Sequence, residues 1–398
     1  MAVSDLGKGA SQTSTNWLYD ARVRAVLYQV LTIGLFVLFV GWLTSNTIEN
    51  LNQRGIATGF GFLEHPAGFG IPFSPFIDYT EESSYGTVIV VSILNTLFIS
   101  AIGIVLATII GFLFGVMRLS RNFLISTIAA TYLETVRNVP LLLQILFWYF
   151  GVIGTLPSLR QSIGIFDTFF INNRGVYFPA PVFETAFIAV PIALVVGIIA
   201  TVIMARWAHK RQDETGEQFP VYTVGVGLIV GLPVLALLVT GVPLSWDYPE
   251  LKRFNFQGGA VIIPEFIALL LALTLYTAAF IGEIVRSGIQ AVSHGQTEAS
   301  FALGVKPSIT MRLVIIPQAL RVIVPPLTSQ YLNLTKNSSL AAAIGYPELV
   351  AVTAGTVLNQ TGQSIECILI TMIVYLTISL SISAFMNWYN KRIALVER

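Results

Sequence analysis

Two pairs of opposite charges are the first residues in this sequence whose type and spacing could do chemistry. Glu134 and Arg137 are three residues apart, and so are Glu283 and Arg286. On a helix this spacing places both side chains on one face, where they can form an internal ion pair. We interpret the four residues as a charged cluster that stabilises a neighbouring loop. Local pairing at helix ends, with no further role, is the alternative.

The segment 286–317 has the residues of a short helix, a turn and a second helix. The first helix is predicted to end at Leu303, because Gly304 suits the left-handed conformation that follows a helix end. Pro307 fits the first turn of the next helix. The pattern predicts an elbow beside a membrane that could dock into a groove on another protein. An ordinary surface elbow is the alternative.

Polar residues within or beside apolar segments could face a translocated molecule. A zwitterion crossing an apolar layer needs both donors and acceptors, because unpaired charge there is very costly. Glu265 could attract an ammonium group and Lys336 a carboxylate, although snorkelling or loop contacts at the outer ends of spans explain both residues better. The candidate substrate-path residues are Asn95, Gln144, Glu265, Tyr276, Asn333 and Lys336.

Sequence signatures of catalysis are missing. The sequence contains no G-x-x-x-x-G-K-[ST], H-E-x-x-H or G-x-S-x-G pattern. Its 3 histidines are far apart, and its 1 cysteine excludes an intramolecular disulfide. We therefore expect no catalytic residue, no metal site and no cofactor bound by this chain.

The composition indicates which elements must position these residues. Only 11% of the 398 residues are charged and 55% are hydrophobic, whereas a soluble domain has about 25% charged residues. The composition excludes a soluble protein of this size, and the hydrophobicity excludes a disordered one. A net charge of +1 gives no electrostatic reason to expect a nucleic-acid partner. A multi-pass membrane protein remains.

Apolar segments predict an all-α membrane bundle of about eight spans, since a spanning helix needs about 20 apolar residues. They lie between Arg24 and Glu49, at 83–117, between Arg137 and Arg160, and at 185–205, 218–246, 266–282, 313–335 and 367–390. With both chain ends in the cytoplasm, most of the 22 Lys and Arg residues lie inside. A seven-span arrangement would place Lys391 and Arg392 outside.

The elbow resembles the EAA loop of ABC importer permeases, the family with a MetI-like transmembrane domain. That pattern is E-A-A, three residues, G, nine residues, then I-x-L-P, and it matches here at Glu298-Ala299-Ser300, Gly304 and Val314-x-Ile316-Pro317. The differences are small, with serine at 300, valine at 314 and isoleucine at 316. The resemblance implies that the elbow is a coupling helix docking on an ATP-hydrolysing subunit. It assigns this coupling to Glu298, Ala299, Ser300, Gly304 and Pro317, and it implies that the charged cluster stabilises either this loop or an inward gate.

Other stretches resemble the polar amino-acid branch of these permeases, namely 132–144, 276–289, 295–296 and 336–340. The resemblance implies a five-helix type I importer core in two parts, 86–155 and 263–390, the second holding the coupling loop 286–317. The rest divides into an N-terminal tail, extra helix and periplasmic loop at 1–85, an inserted periplasmic loop with two extra helices at 156–262, and a cytoplasmic tail at 391–398. These additions resemble the general L-amino acid permeases of Gram-negative bacteria.

The resemblance implies an importer permease subunit in the bacterial inner membrane, with both termini cytoplasmic. It would move L-amino acids of broad or polar range from periplasm to cytoplasm. The implied partners are two copies of an ABC ATPase that uses ATP and Mg, a second permease chain forming a heterodimer, a periplasmic amino-acid-binding protein, and membrane lipid. The alternative is a secondary transporter driven by an ion gradient. It would need a buried carboxylate in mid-span, and such residues are scarce here.

Overall fold

The computed structural model describes residues 21–53, 55, 58–242, 244–253 and 255–393. The tail at 1–20 and residues 394–398 lie outside these ranges, and so do the two chain ends whose cytoplasmic position is predicted. The described chain is mostly helical, which confirms the predicted class. Its helices are α1 Ala21–Gln53, α2 Tyr85–Arg118, α3 Phe123–Asn138, α4 Leu141–Leu146, α5 Ala189–Thr215, α6 Val221–Val239, α7 Pro264–Gln290, α8 His294–Ala302, α9 Pro307–Thr310, α10 Ile316–Asn337, α11 Leu358–Thr361 and α12 Ser364–Ile393.

Several helices continue through tighter or wider turns. A π-helical stretch, Phe147–Val152, prolongs α4, and another, Met311–Ile315, joins α9 to α10. A 3-10 segment, Ser338–Ile344, follows α10, and the π-helical Val350–Val357 leads into α11. Within the described ranges, 7 helices are long and apolar enough to cross a membrane, or up to 8 if α3 and the helix after it form one bent span.

The predicted span between Arg137 and Arg160 is not one straight helix. The chain breaks between α3 and α4 and turns by 106°. Pro140 explains the break, because proline disfavours helical backbone at the residue before it, and Val139 is extended with φ −99° and ψ 126°. The side chain of Gln144 spans the corner and donates hydrogen bonds to the carbonyls of Val136 (3.0 Å) and Val139 (2.9 Å).

Helix α7 lies at the centre of the bundle and packs against α2, α3 and α10 at glycine positions. A Cβ added at Gly115 on α2 would lie 2.6 Å from the carbonyl oxygen of Gly282 on α7. A Cβ at Gly282 would lie 2.7 Å from Leu133 on α3, and one at Gly288 would lie 2.3 Å from Ile323 on α10. Small residues allow helix backbones to approach closely in a membrane, where apolar burial alone gives little drive to associate.

The insert at 156–262 contains short β-strands that the sequence analysis did not predict. They are β1 Ile163–Ile165, β2 Phe169–Asn172, β3 Gly175–Phe178, β4 Ala180–Phe183, β5 Leu244–Asp247, β6 Glu250–Lys252, β7 Asn255–Gln257 and β8 Ala260–Ile262. All pairs are antiparallel, in one sheet of order β1-β2-β3-β8 and in the pairs β4-β5 and β6-β7. Strands that precede α5 pair with strands that follow α6. The chain therefore leaves the sheets into α5 and returns to them after α6.

The added helices contact the core little. None of the most apolar stretch of α1 is buried, and only 6% of the corresponding stretches of α5 and α6 is buried. Helices α5 and α6 pack on each other where a Cβ at Gly197 would lie 2.7 Å from the carbonyl oxygen of Leu228. On the same contact, a Cβ at Gly225 would lie 2.8 Å from Thr201. Their remaining apolar surface is therefore left for lipid or another chain.

Candidate functional site

The elbow has the predicted backbone. Helix α8 ends at Ala302, and Gly304 takes a left-handed φ of +73°. The turn is closed by hydrogen bonds from the amide of Gly304 to the carbonyl of Phe301 (2.9 Å) and from the amide of Val305 to that of Ser300 (3.1 Å). Pro307 then opens α9. Both the helix end and the new start are confirmed.

The motif residues of the elbow have different surroundings. Ser300 is buried and donates a hydrogen bond to the carbonyl of Gln296 (2.8 Å). Glu298 is exposed, with one carboxylate oxygen 3.0 Å from Nδ1 of His294. Ala299 is exposed, and Pro317 is half-buried in the first turn of α10. These contacts fix the shape of the elbow and leave its outer face open.

Apolar side chains cover that outer face. Leu303 is 83% exposed, and Phe301, Ile309 and Leu313 are exposed as well. The β-strands come before the first residue of α7, and the elbow comes after its last residue. Because α7 has 27 residues, its length of about 40 Å separates the elbow from the strands. A group of apolar side chains on a polar loop is typical of an interaction site.

The charged cluster is formed, but with one pairing that the sequence spacing predicted wrongly. Glu134 does not pair with Arg137: its carboxylate is 2.8 Å from Nη2 of Arg118, at the end of α2. Arg137 reaches across to Glu283 on α7 at 3.8 Å. Packing of α3 between α2 and α7 brings charges from other helices close to both residues. The predicted Glu283–Arg286 pair is present, with Nε of Arg286 3.1 Å from both carboxylate oxygens.

A surface concavity of about 230 Å³ lies beside this cluster, between α3, α7 and α10. Its lining residues are Arg137, Phe280, Glu283, Ile284, Ser287, Gly288, Val322, Pro326 and Gln330. The guanidinium of Arg137 lies over the ring of Phe280, 5.4 Å from its centroid. One wall therefore has opposite charges, and the others are apolar or weakly polar.

Comparisons with known proteins show which family the chain belongs to. Residues 216–395 match the family described as binding-protein-dependent transport system inner membrane component. The chain is 54% identical over 381 residues to the general L-amino acid transport system permease protein AapQ of Rhizobium johnstonii, covering 96% of this chain and 95% of that protein. The chain belongs to the amino acid ABC transporter permease family. This permease is accordingly a multi-pass protein of the inner membrane.

Two further relatives of the permease match over nearly their whole length. The putative amino-acid ABC transporter permease protein YhdX of Escherichia coli is 54% identical over 376 residues, which cover 94% of this chain and 95% of that protein. The glutamate/glutamine/aspartate/asparagine transport system permease protein BztB of Rhodobacter capsulatus is 43% identical over 412 residues, covering 96% of each chain. The added segments of the permease are therefore present in these relatives.

Three candidate substrate-path residues have partners within the permease. Asn95 is fully buried and donates hydrogen bonds to the carbonyls of Phe73 (2.8 Å) and Pro347 (3.0 Å). Gln144 spans the corner between α3 and α4, and Glu265 accepts a hydrogen bond from the hydroxyl of Tyr149 at 2.8 Å. Each of these contacts ties two segments together.

The other three candidates are more open. Tyr276 is half-buried and packs against Phe280, the aromatic residue of the concavity, with ring centroids 5.0 Å apart. Asn333 and Lys336 are exposed on the last turns of α10. The structure thus brings Tyr276 next to the charged cluster and leaves Asn333 and Lys336 apart from it.

Glu348 is a residue that the sequence analysis missed. It is fully buried, and its carboxylate accepts hydrogen bonds from the amides of Val350 (2.8 Å) and Ala351 (2.7 Å) and from the hydroxyl of Tyr375 (3.1 Å). The carboxylate thereby caps the start of the helix that follows. An acidic residue just before an apolar run was the signal available. Among the described residues, no group of three or more His, Cys, Asp or Glu could hold a metal ion.

Proposed function

We propose that the chain is the permease subunit of an ATP-driven importer that carries L-amino acids from periplasm to cytoplasm. A periplasmic binding protein would deliver the amino acid to the side of the β-strands. Two ATPase subunits would bind the elbow on the opposite side, using ATP and Mg, and a second related permease chain would complete the path. Both termini of this chain would lie in the cytoplasm.

The observation that carries this proposal is the apolar outer face of the elbow. Leu303 and Phe301 leave large apolar surfaces open on a loop whose backbone is closely held by hydrogen bonds. Burying such surface against a partner is worth about 25 cal/mol per Å². A groove on an ATPase subunit is the partner that the EAA-like spacing favours, with Glu298, Ala299, Ser300, Gly304 and Pro317 giving the elbow its shape.

Helix α7 offers a route from the elbow to the charged cluster. The helix carries Glu283 and Arg286 near its end and continues into α8 after a short turn. A displacement of the elbow would therefore move these residues relative to α3, which carries Glu134 and Arg137. We infer that these four residues and Arg118 form an inward gate. Their ion pairs would stabilise one of its two states, open or closed, during an alternating-access cycle.

A broad or polar substrate range is supported by the relatives. One of them is named for general L-amino acid transport, and another for glutamate, glutamine, aspartate and asparagine. Asn95, Gln144 and Glu265 would support the path by holding its helices, and Tyr276 would lie beside the path next to Phe280. Asn333 and Lys336 would meet the amino acid only near the end of α10.

The test is ATP hydrolysis by a complex purified through a tag on this chain and reconstituted in lipid, comparing Gly304→Asp with Gly362→Asp. Both glycines have a left-handed backbone, with φ of +73° and +70°, and neither has another atom within 4 Å of an added Cβ. The backbone strain is therefore matched. Gly362 lies between α11 and α12, away from the elbow.

We expect ATPase activity to co-purify with the native chain and with Gly362→Asp. In Gly304→Asp the activity should be lost or should no longer respond to the loaded binding protein. Equal, coupled hydrolysis by both variants would contradict docking at the elbow. A complex without any ATPase would instead favour the transporter driven by an ion gradient.

A further inference from the structure

The concavity between α3, α7 and α10 holds a cation whose hydrogen-bonding capacity is largely unused. A guanidinium has five N–H donors. In the part of the chain that the structure describes, the guanidinium of Arg137 has a carboxylate oxygen of Glu283 at 3.8 Å and the ring of Phe280 as its neighbours. At 3.8 Å the ion pair is longer than a charge-assisted hydrogen bond, which is about 2.7–2.9 Å.

The anion of the same wall is held differently. Arg286 binds Glu283 through Nε, 3.1 Å from both carboxylate oxygens, and also donates to the side chain of Gln290 at 2.6 Å. Glu283 therefore keeps its position when Arg137 moves away. Arg137 is the more weakly held member of the pair, because only the long contact and the ring hold it.

The remaining lining suits a small polar molecule. Ser287 and Gln330 offer a hydroxyl and an amide, and within the described ranges neither side chain has a hydrogen-bond partner. Val322 and Pro326 provide apolar surface on α10. The volume of about 230 Å³ is far above the roughly 10–15 Å³ that a single water needs on the same measure, which leaves room for a small organic zwitterion.

We propose that this concavity binds the transported amino acid by its α-carboxylate and α-ammonium groups. Arg137 leaves Glu283 and takes the carboxylate in a two-point contact, a geometry that the planar guanidinium fits. The ammonium then takes the place of Arg137 beside Oε2 of Glu283, the carboxylate oxygen to which Arg286 donates through Nε alone. Ser287 and Gln330 face the side chain of the substrate, so the charged contacts are the same for every α-amino acid.

This site assigns to Arg137 and Glu283 a direct contact with substrate, in addition to their part in the gate. The exchange keeps the charge balance, since one cation leaves the carboxylate as another arrives. The inference rests on the proposed function, because a zwitterion must reach the membrane part of the chain. A merely structural ion pair between α3 and α7 is the competing explanation.

The experiment measures equilibrium binding to the purified complex in lipid, without the binding protein. The probe is the labelled L-amino acid that the native complex takes up fastest. Its methyl ester, which lacks the carboxylate, and its N-acetyl derivative, which lacks the ammonium, serve as competitors. The variants are Arg137→Met, Arg137→Lys and Gln330→Leu, with Arg121→Met, an exposed residue between α2 and α3, as the matched control.

We expect the native complex to bind the amino acid and to reject both derivatives. Arg137→Met should lose at least tenfold in affinity and should no longer distinguish the amino acid from its methyl ester. Arg137→Lys should keep this discrimination at reduced affinity, and Arg121→Met should bind as the native complex does. Gln330→Leu should alter the preference among amino acids and keep the discrimination against the ester.

Native affinity and ester discrimination in Arg137→Met would overturn the site. If Arg137→Met does not fold, loss of ester discrimination in Arg137→Lys or an unchanged preference in Gln330→Leu overturns it. ATP hydrolysis stimulated by the loaded binding protein is measured on the same preparations. A complex that hydrolyses ATP and takes up amino acids, but binds them independently of Arg137, would remove the site and leave the proposed function standing.

Discussion

Helix α7, at the centre of the bundle, and the added helices α1, α5 and α6 differ sharply in how closely they pack against the rest of the protein. The most apolar stretch of α7 is 56% buried, whereas that of α1 is 0% buried. Helix α7 meets three neighbours through Gly282, Gly288 and the glycines of α2. In α1, by contrast, a Cβ added at Gly34 or Gly41 would meet nothing within 4 Å.

The difference indicates where movement can be transmitted. Lipid chains are as apolar as leucine, so helices associate in a membrane mainly by close packing. Closely packed helices move together, because interiors at this density transmit strain. We therefore expect a displacement of the elbow to reach α2, α3 and α10 through α7, while α1 and the α5–α6 pair stay in lipid.

The largest expected effect is that of Gly115→Val, at the contact of α2 with α7. The new side chain would overlap backbone, which cannot move aside without separating the helices. We expect a loss of about 1–3 kcal/mol, or failure to assemble. The measurement is the thermal unfolding midpoint of the detergent-purified chain. Gly34→Val is the matched control, and equal midpoints for the two variants would remove the distinction between the regions.

A smaller effect is expected for Gly225→Leu, at the contact of α5 with α6. Here the nearest atom is the side chain of Thr201, which can rotate, so the loss should be about 1 kcal/mol. The matched variant is Gly227→Leu on the same helix, with nothing within 4 Å. Limited proteolysis should cut the α5–α6 connection faster in Gly225→Leu alone. Loss of uptake in this variant would show that the pair is coupled to the core.

The smallest effect is expected for Phe39→Leu on α1, a side chain that is 56% exposed. The free energy of unfolding should change by no more than about 0.5 kcal/mol, as for other exposed positions, so the thermal midpoint should hardly move. Phe266→Leu on α7 is the comparison, because that ring is buried 5.4 Å from the rings of Phe73 and Phe98. Equal losses would mean that α1 has a protein neighbour in the complex.

Hydropathy predicted most of the helices, because the length and apolar character of a membrane span can be read directly from its own residues. The elbow was predictable for a similar reason: Gly304 and Pro307 act through local backbone geometry. The corner at Pro140 was missed because spanning helices tolerate proline, so the residue alone does not separate a kink from a turn of 106°. The strands of the insert were missed because each has only three or four residues.

The candidate site was less predictable, because its partners come from different helices. The spacing of Glu134 and Arg137 permits an internal pair, yet Arg118 lies nearer to Glu134 once α2 and α3 are packed. Asn95 is a polar residue within an apolar span, as a substrate-path residue would be, but its side chain donates hydrogen bonds to two backbone carbonyls from distant segments. Nothing in the sequence alone identifies those partners.

The most direct test of the account is uptake of a labelled L-amino acid into proteoliposomes containing the complex and its binding protein. We predict uptake that requires ATP and persists when ionophores remove proton and sodium gradients. Leu303→Asp should abolish it, while Phe166→Asp, a similarly exposed position on the β1–β2 hairpin, should lower it far less. Uptake that needs an ion gradient and proceeds without ATP would contradict the central claim.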